Sequence, residues 1–250
     1  MAKTVTVVID RSDAGAQRRF EVPVGRRETV LDALFYIQND LDPTLSFRCA
    51  CRVGMCGSCG ILVNGGERLA CRTALEPLGP VVELAPLRYF PRVKDLVVDF
   101  SAFYSRYRAV APYLKPRPAV VDPVVAPPGS GLREEIDLGL ECISCGLCLS
   151  ACDVVGQVPE FLGPAALNRA YNLVADVRDA ADAERLEVVG DRRRGVWQCH
   201  SHMSCVEVCP KGLAPTRAIA HLRRKLVAQA FFGRRPRPVP SQQRFAEGAR

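Results

Sequence analysis

The chain has 250 residues, 48% hydrophobic and 24% charged, with 34 Lys+Arg, 27 Asp+Glu and 12 cysteines. That length holds one or two domains with a sizeable core, and the balance excludes a disordered, collagen-like or mainly membrane-embedded chain. The formal charge of +7 is concentrated at one end, where the residues from Arg217 onward carry nine Lys/Arg and one acid, Glu247.

Thr4–Asp10 and Phe20–Val24 predict two strands joined by a turn around Ala14-Gly15. Glu28–Asp40 predicts a helix, because Val30, Leu31, Leu34, Ile37 and Leu41 recur at helical spacing. A cysteine-bearing loop follows. Next come a strand at Gly60–Val63, an Asn64-Gly65 hairpin signal, and strands at Arg68–Cys71 and Val81–Leu84. The stretch from Pro112 to Gly131 contains six prolines and reads as a linker or extended crossover. The remainder reads as helical. Pro164–Val177 and Pro215–Phe232 each place Pro near the first helical position, and Gly233 stops the second.

No run approaches the ~20 apolar residues of a membrane span. No apolar segment follows Arg18-Arg19, so neither a signal peptide nor a twin-arginine export signal is expected. The expectation is a protein that stays in the cytoplasm, where structural disulfides are rare and many cysteines point to metal or redox chemistry. No GxGxxG or P-loop is present, so dinucleotide binding by those routes is not expected. The basic end suggests an acidic partner such as membrane headgroups or an acidic subunit. It lacks the interleaved aromatics and recognised motif of a nucleic-acid binder.

The cysteines form three groups. Cys51, Cys56 and Cys59 read C-x4-C-x2-C, followed by Cys71, which is the plant-type [2Fe–2S] spacing. A tight loop must turn several thiolates onto a small inorganic core, and Gly54, Gly57 and Gly60 suit that turn. A zinc knuckle is the competing reading. Cys49 breaks the spacing and reads as a free thiol or a backup ligand.

Cys142, Cys145, Cys148 and Cys152 form the bacterial-ferredoxin run C-x2-C-x2-C-x3-C, in which the fourth cysteine serves the other cluster. Cys199, Cys205 and Cys209-Pro210 repeat that frame with His202 in place of its second cysteine. Crossing therefore allots Cys142, Cys145, Cys148 and Cys209 to a [4Fe–4S] cluster. Cys152, Cys199 and Cys205 are left for a [3Fe–4S] cluster, unless His202 ligates a fourth iron. Each oxidised cluster carries about −2 in formal charge, so the loaded body is acidic and its end basic.

On these motifs the chain resembles the iron–sulfur subunits of succinate dehydrogenase and fumarate reductase. Further matching segments are Thr29–Leu34, Ser46-Phe-Arg48, Leu69-Ala-Cys71, Lys94–Asp99, Phe161–Ala166 and Lys211-Gly-Leu213. The resemblance implies an α+β protein. Residues 1–108 would form a β-grasp [2Fe–2S] ferredoxin domain, and residues 109–250 an α-helical, bacterial-ferredoxin-like domain with [4Fe–4S], [3Fe–4S] and the basic tail. It implies a partner flavoprotein whose covalent FAD oxidises succinate. Electrons would then pass through the three clusters to a quinone at membrane-anchor subunits, on the cytoplasmic face of the bacterial plasma membrane. Quinol:fumarate reduction is the same machinery in reverse. Asp153-Val-Val-Gly156 lacks the aromatics of many succinate dehydrogenases, whereas Pro159–Ala166 and Gly195-Val-Trp197 resemble the fumarate reductase branch, which suggests menaquinone. His200, Lys211 and Arg223 are the candidates for the quinone vicinity, and Trp197 lies beside Cys199. Val227–Phe232 and the arginines beyond it suggest docking on the anchor or on anionic lipid.

Overall fold

The computed structural model describes residues 3–12, 17–25, 28–116 and 126–233. The Ala14-Gly15 turn, the middle of the proline-rich stretch and the basic residues beyond Gly233 lie outside these. The chain order is β1 (Lys3–Asp10), β2 (Gln17–Val24), α1 (Val30–Tyr36), β3 (Gly60–Val63), β4 (Gly66–Leu69), β5 (Val81–Ala85), β6 (Arg92–Lys94) and β7 (Val97–Val98). Helices follow: α2 (Ser101–Ala109), α3 (Gly131–Leu140), α4 (Leu147–Ser150), α5 (Asp153–Gln157), α6 (Gly163–Ala175), α7 (Asp182–Val189), α8 (Ser204–Glu207) and α9 (Pro215–Phe232). Among the described residues, no helix is long and apolar enough to cross a membrane.

Two compact units emerge, and neither is a single stretch of sequence. The first comprises Met1–Phe103, Ile143–Asp153 and Glu207–Gly212. The second comprises Tyr104–Cys142, Val154–Val206 and Leu213–Arg250.

The first unit is built on a five-stranded mixed sheet in the order β2-β1-β5-β3-β4. β1 runs antiparallel to β2 and parallel to β5, and β3 is antiparallel to both β4 and β5. Val7, Val8 and Ile9 of β1 are all buried, so this strand is covered on both faces. Helix α1 buries Val30, Leu31, Ala33 and Leu34. Its start is a capping box, with Thr29 and Asp32 each accepting the other's backbone N–H. Asn64 and Gly65 both have positive φ, 49° and 77°, as a two-residue type I′ hairpin turn requires.

Three expected elements differ. The helix expected over Glu28–Asp40 is α-helical only over Val30–Tyr36 and continues as a π-helical turn over Ile37–Leu41. β2 begins at Gln17, because pairing with β1 runs unbroken from Lys3↔Val24 to Asp10↔Gln17. The strand expected at Arg68–Cys71 ends at Leu69, where its ladder with β3 ends, and Cys71 lies instead in a tight 3-10 turn over Ala70–Arg72.

Charge is buried at the heart of this unit. Arg11 is 1% exposed and Asp95 is fully buried. Arg11 Nε lies 3.2 Å from Asp95 Oδ1, and Nη1 lies 3.1 Å from Asp42 Oδ2. Asp95 also accepts the Ser12 hydroxyl at 3.0 Å and the Ser46 amide at 2.9 Å. Hydrogen bonds from Thr44, with Arg11 and Arg18 nearby, hold the Asp42 carboxyl below its usual range.

The second unit is helical and centres on α6, every residue of which except Arg169 is buried. α6 packs against α3, α7 and α9. Buried Arg185 of α7 pairs with Asp179 and donates to the carbonyls of Val110, Ala111 and Tyr113, fixing the segment after α2. At the far end of α9, Val227, Phe231 and Phe232 are exposed.

Breaking a buried ion pair strands the remaining charge, which costs about 3–5 kcal/mol, whereas an exposed pair is worth ~1 kcal/mol or less. Arg11→Met and Arg185→Met should therefore lower the thermal unfolding midpoint strongly. Arg18→Met, at the exposed partner of Asp42, should barely move it.

Candidate metal centres

The loop before β3 carries Cys51, Cys56 and Cys59. Three backbone amides converge on the Cys51 sulfur, from Val53 at 3.5 Å, Met55 at 3.2 Å and Cys56 at 3.3 Å. Positive φ at Arg52, Gly54 and Gly57 curls the chain so that these N–H groups face inward. A neutral thiol is a weak acceptor, so three donors on one sulfur suit a thiolate. Ser58 Oγ lies 3.1 Å from Cys56 Sγ. Hydrogen bonds with Cys51 and then Ser58 hold the Cys56 thiol down at about 6.

Cys59 and Cys71 are buried, with sulfurs 3.3 Å apart. That is far beyond a disulfide bond length, and all twelve cysteines are free thiols. Burial pushes the Cys59 thiol up to about 12, an environment in which a charged sulfur needs a cation to offset it. Sulfur donors, converging amides and burial together fit a small iron–sulfur core. Among the described residues, no group of three or more His, Cys, Asp or Glu side chains is placed to hold a single metal ion. Cys49 is half-buried at the edge of this loop.

The first unit also contains Cys145, Cys148, Cys152 and Cys209. A Cβ at Gly57 would sit 2.7 Å from the Cys145 Cβ, so the two cysteine loops approach to a distance only glycine permits. Gly146, at φ 79°, opens helix α4, and a Cβ there would strike the rings of Phe100 and Phe90 at 2.9 and 3.0 Å. Between Cys148 and Cys152, fully buried Ser150 donates to Glu67 Oε1 at 2.9 Å and accepts the Arg88 amide at 2.9 Å, fastening α4 to β4.

The second unit contains Cys142, Cys199 and Cys205. Cys142 follows the end of α3, and the Tyr107 hydroxyl lies 3.5 Å from its sulfur. Cys199 follows a 3-10 turn at Val196–Gln198, and Cys205 is buried in α8. Arg223 of α9 donates to the Val196 carbonyl at 3.0 and 2.7 Å and also to the Cys199 carbonyl. Its guanidinium therefore holds the turn that carries Cys199. Trp197 is 43% exposed, with its indole N–H donated to the Gly190 carbonyl at 3.0 Å. His200 and His202 are exposed, with ring centroids 5.8 Å apart. Ser201 and Met203, which flank His202, both have positive φ. Lys211 is half-buried in the first unit, two residues past Cys209.

Sequence reasoning located the cysteines but not Tyr107, Ser150 or the Arg223 bonds. Each acts on a cysteine segment remote in sequence or through the backbone, and no local motif signals that.

Comparison with known proteins agrees with this chemistry. Residues 6–105 match the 2Fe-2S iron-sulfur cluster binding domain, and residues 139–213 match the 4Fe-4S dicluster domain. The chain is 40% identical to a succinate dehydrogenase iron-sulfur subunit of Paracoccus denitrificans, over 79% of this chain and 76% of that one. It is 39% identical to a fumarate reductase iron-sulfur subunit of Haemophilus influenzae, over 80% and 82%. It is 38% identical to a mitochondrial succinate dehydrogenase [ubiquinone] iron-sulfur subunit of Dictyostelium discoideum, over 78% and 70%. Among solved structures, a chain of the Mycobacterium smegmatis Sdh1 complex superimposes with a TM-score of 0.83 at 29% identity, covering 93% of this chain and 98% of that one.

Gly57→Ala forces a Cβ onto Cys145 in a left-handed conformation, a strain of about 1–3 kcal/mol. The expected outcome is a folded protein with lower iron and sulfide content per chain than wild type. Gly65→Ala carries the same left-handed strain, at φ 77°, but has open space around its Cβ position, so it isolates the clash with Cys145 and should keep full iron content.

Proposed function

The chain belongs to the family of succinate dehydrogenase and fumarate reductase iron–sulfur subunits, and from that premise we propose that it is the electron-transfer subunit of a succinate:quinone oxidoreductase. When bound, the iron–sulfur clusters supply one-electron carriers that divide a two-electron oxidation into single steps. The observation that carries this reading is the Cys51–Cys71 site, where three amides meet one sulfur and two buried sulfurs stand 3.3 Å apart.

Cys51, Cys56, Cys59 and Cys71 hold [2Fe–2S]. By the crossing rule, Cys142, Cys145, Cys148 and Cys209 hold [4Fe–4S], and Cys152, Cys199 and Cys205 hold [3Fe–4S]. His202 stays outside the ligand set, and its exposure supports this. Residues 1–108 and 109–250 serve as the [2Fe–2S] and two-cluster domains. Succinate is oxidised on the FAD of a partner flavoprotein, so this chain supplies no catalytic acid or base.

Membrane-anchor subunits complete the complex at the cytoplasmic face of a bacterial plasma membrane. The exposed end of α9 is the docking element for the anchor or for anionic lipid. Menaquinone is the acceptor, supported by the missing aromatics at 153–156. His200, Lys211 and Arg223 are the quinone-side candidates, and Arg223 acts through the Cys199 turn. The similarity to the Haemophilus influenzae fumarate reductase subunit is nearly equal to that of the succinate dehydrogenase subunit. It favours quinol:fumarate reduction as the second reading.

Low-temperature EPR of the purified complex tests the scheme. A [2Fe–2S] signal on reduction and a [3Fe–4S] signal when oxidised are expected. Absence of the second overturns the three-cysteine site, and isolation without a flavoprotein overturns the complex. Extraction of bound quinone should yield menaquinone, and ubiquinone alone overturns that assignment.

A further inference from the structure

We propose that Tyr107 sets the reduction potential of the cluster held by Cys142, by donating its phenolic hydrogen to the Cys142 sulfur. The proposal rests on the reading of Cys142 as a [4Fe–4S] ligand.

Tyr107 is half-buried on the last turn of α2, and its oxygen is 3.5 Å from Cys142 Sγ, a normal length for an O–H···S bond. Iron ligation removes the thiol proton, leaving the sulfur able only to accept. A phenol keeps its proton at neutral pH, so the direction of the bond is fixed from oxygen to sulfur. Arg106, the preceding residue, donates to the carbonyls of Phe161 at 3.0 Å and Pro159 at 2.8 Å. Those bonds hold the end of α2, and so the phenol, in place.

One added electron raises the negative charge on the cluster and its sulfur ligands. A hydrogen bond to charged sulfur therefore strengthens on reduction, stabilises the reduced state more than the oxidised one and raises the potential. No bond forms or breaks, and the proton stays on Tyr107. Three backbone amides donate to the Cys51 sulfur, and no side-chain substitution removes them. At Cys142 the donor is a side chain, so its effect can be isolated.

The experiment is a potentiometric titration of the assembled complex, with a low-potential flavin photoreductant and EPR readout of the reduced [4Fe–4S] signal. Tyr107→Phe keeps the ring and removes the donor. At a fixed potential its reduced-to-oxidised ratio should fall by up to about tenfold, equivalent to ~59 mV for one electron. The [2Fe–2S] potential should stay in place. Replacing Tyr107 with 3-fluorotyrosine makes a stronger donor of nearly the same shape. It should move the ratio the opposite way, and it carries the test if Tyr107→Phe does not assemble. An unmoved [4Fe–4S] potential overturns the proposal. Cys142→Ser separates the two failures. If it perturbs the [4Fe–4S] signal while the Tyr107 variants do not, the ligand reading stands and the role of Tyr107 falls. If it leaves that signal unaltered, the ligand reading falls and takes the proposal with it.

Discussion

The governing constraint is sulfur held in tight loops, where Cys59 and Cys71 are buried and Cys51 gathers three amides. An unpaired charge at such a site is costly. The chain meets that cost with hydrogen-bond donors aimed at sulfur. Val53, Met55 and Cys56 turn their amides onto Cys51, and Ser58 sits against Cys56. The left-handed turns at Arg52, Gly54 and Gly57 are conformations the loop holds to aim those groups. The loop thus presents an anion receptor made mostly of backbone.

Rigidity around the loops comes from a different source. Ser150 locks α4 to β4 through buried Glu67, and the rings of Phe90, Phe100 and Phe103 pack with centroids 4.7 to 6.3 Å apart. Gly146 begins α4 where only a residue without a side chain fits against those rings. In the second unit, Arg185 and Arg223 do comparable work by satisfying backbone carbonyls in irregular segments. Long cationic side chains thereby replace the regular ladders that a cysteine-bearing loop cannot have.

What the sequence made legible was local. Cysteine spacing marks the loops because ligation demands fixed separations along the chain. Asn64-Gly65 marks its turn because both residues must adopt positive φ. Pro215 and Gly233 bound α9 to the residue, since each acts on the backbone where it stands. What stayed hidden was relational. Helix α2, with Phe103 its only fully buried residue, has no apolar stripe to announce it. Arg11, Asp95, Asp179 and Arg185 read as surface charges until their partners are known. Cys71 looked like the end of a strand, because Arg68–Cys71 has ordinary strand composition and the ladder's end at Leu69 is a property of its partner. Tyr107 meets Cys142 across 35 positions of sequence, a contact no spacing rule reports.

The interleaving of the two units bears on how the chain reaches its final form. The first unit draws on residues 143–153 and 207–212 as well as its long opening segment. Its sheet is available early in synthesis, but Glu67 waits for Ser150, and the closely packed Gly57 waits for Cys145. Long-range closure of this kind is slow, and it leaves a half-made core open in the meantime. Neither unit is complete until synthesis has passed Glu207. Until those segments arrive, the thiols of the opening loop stand beside an unfinished core, where exposed thiols are open to oxidation.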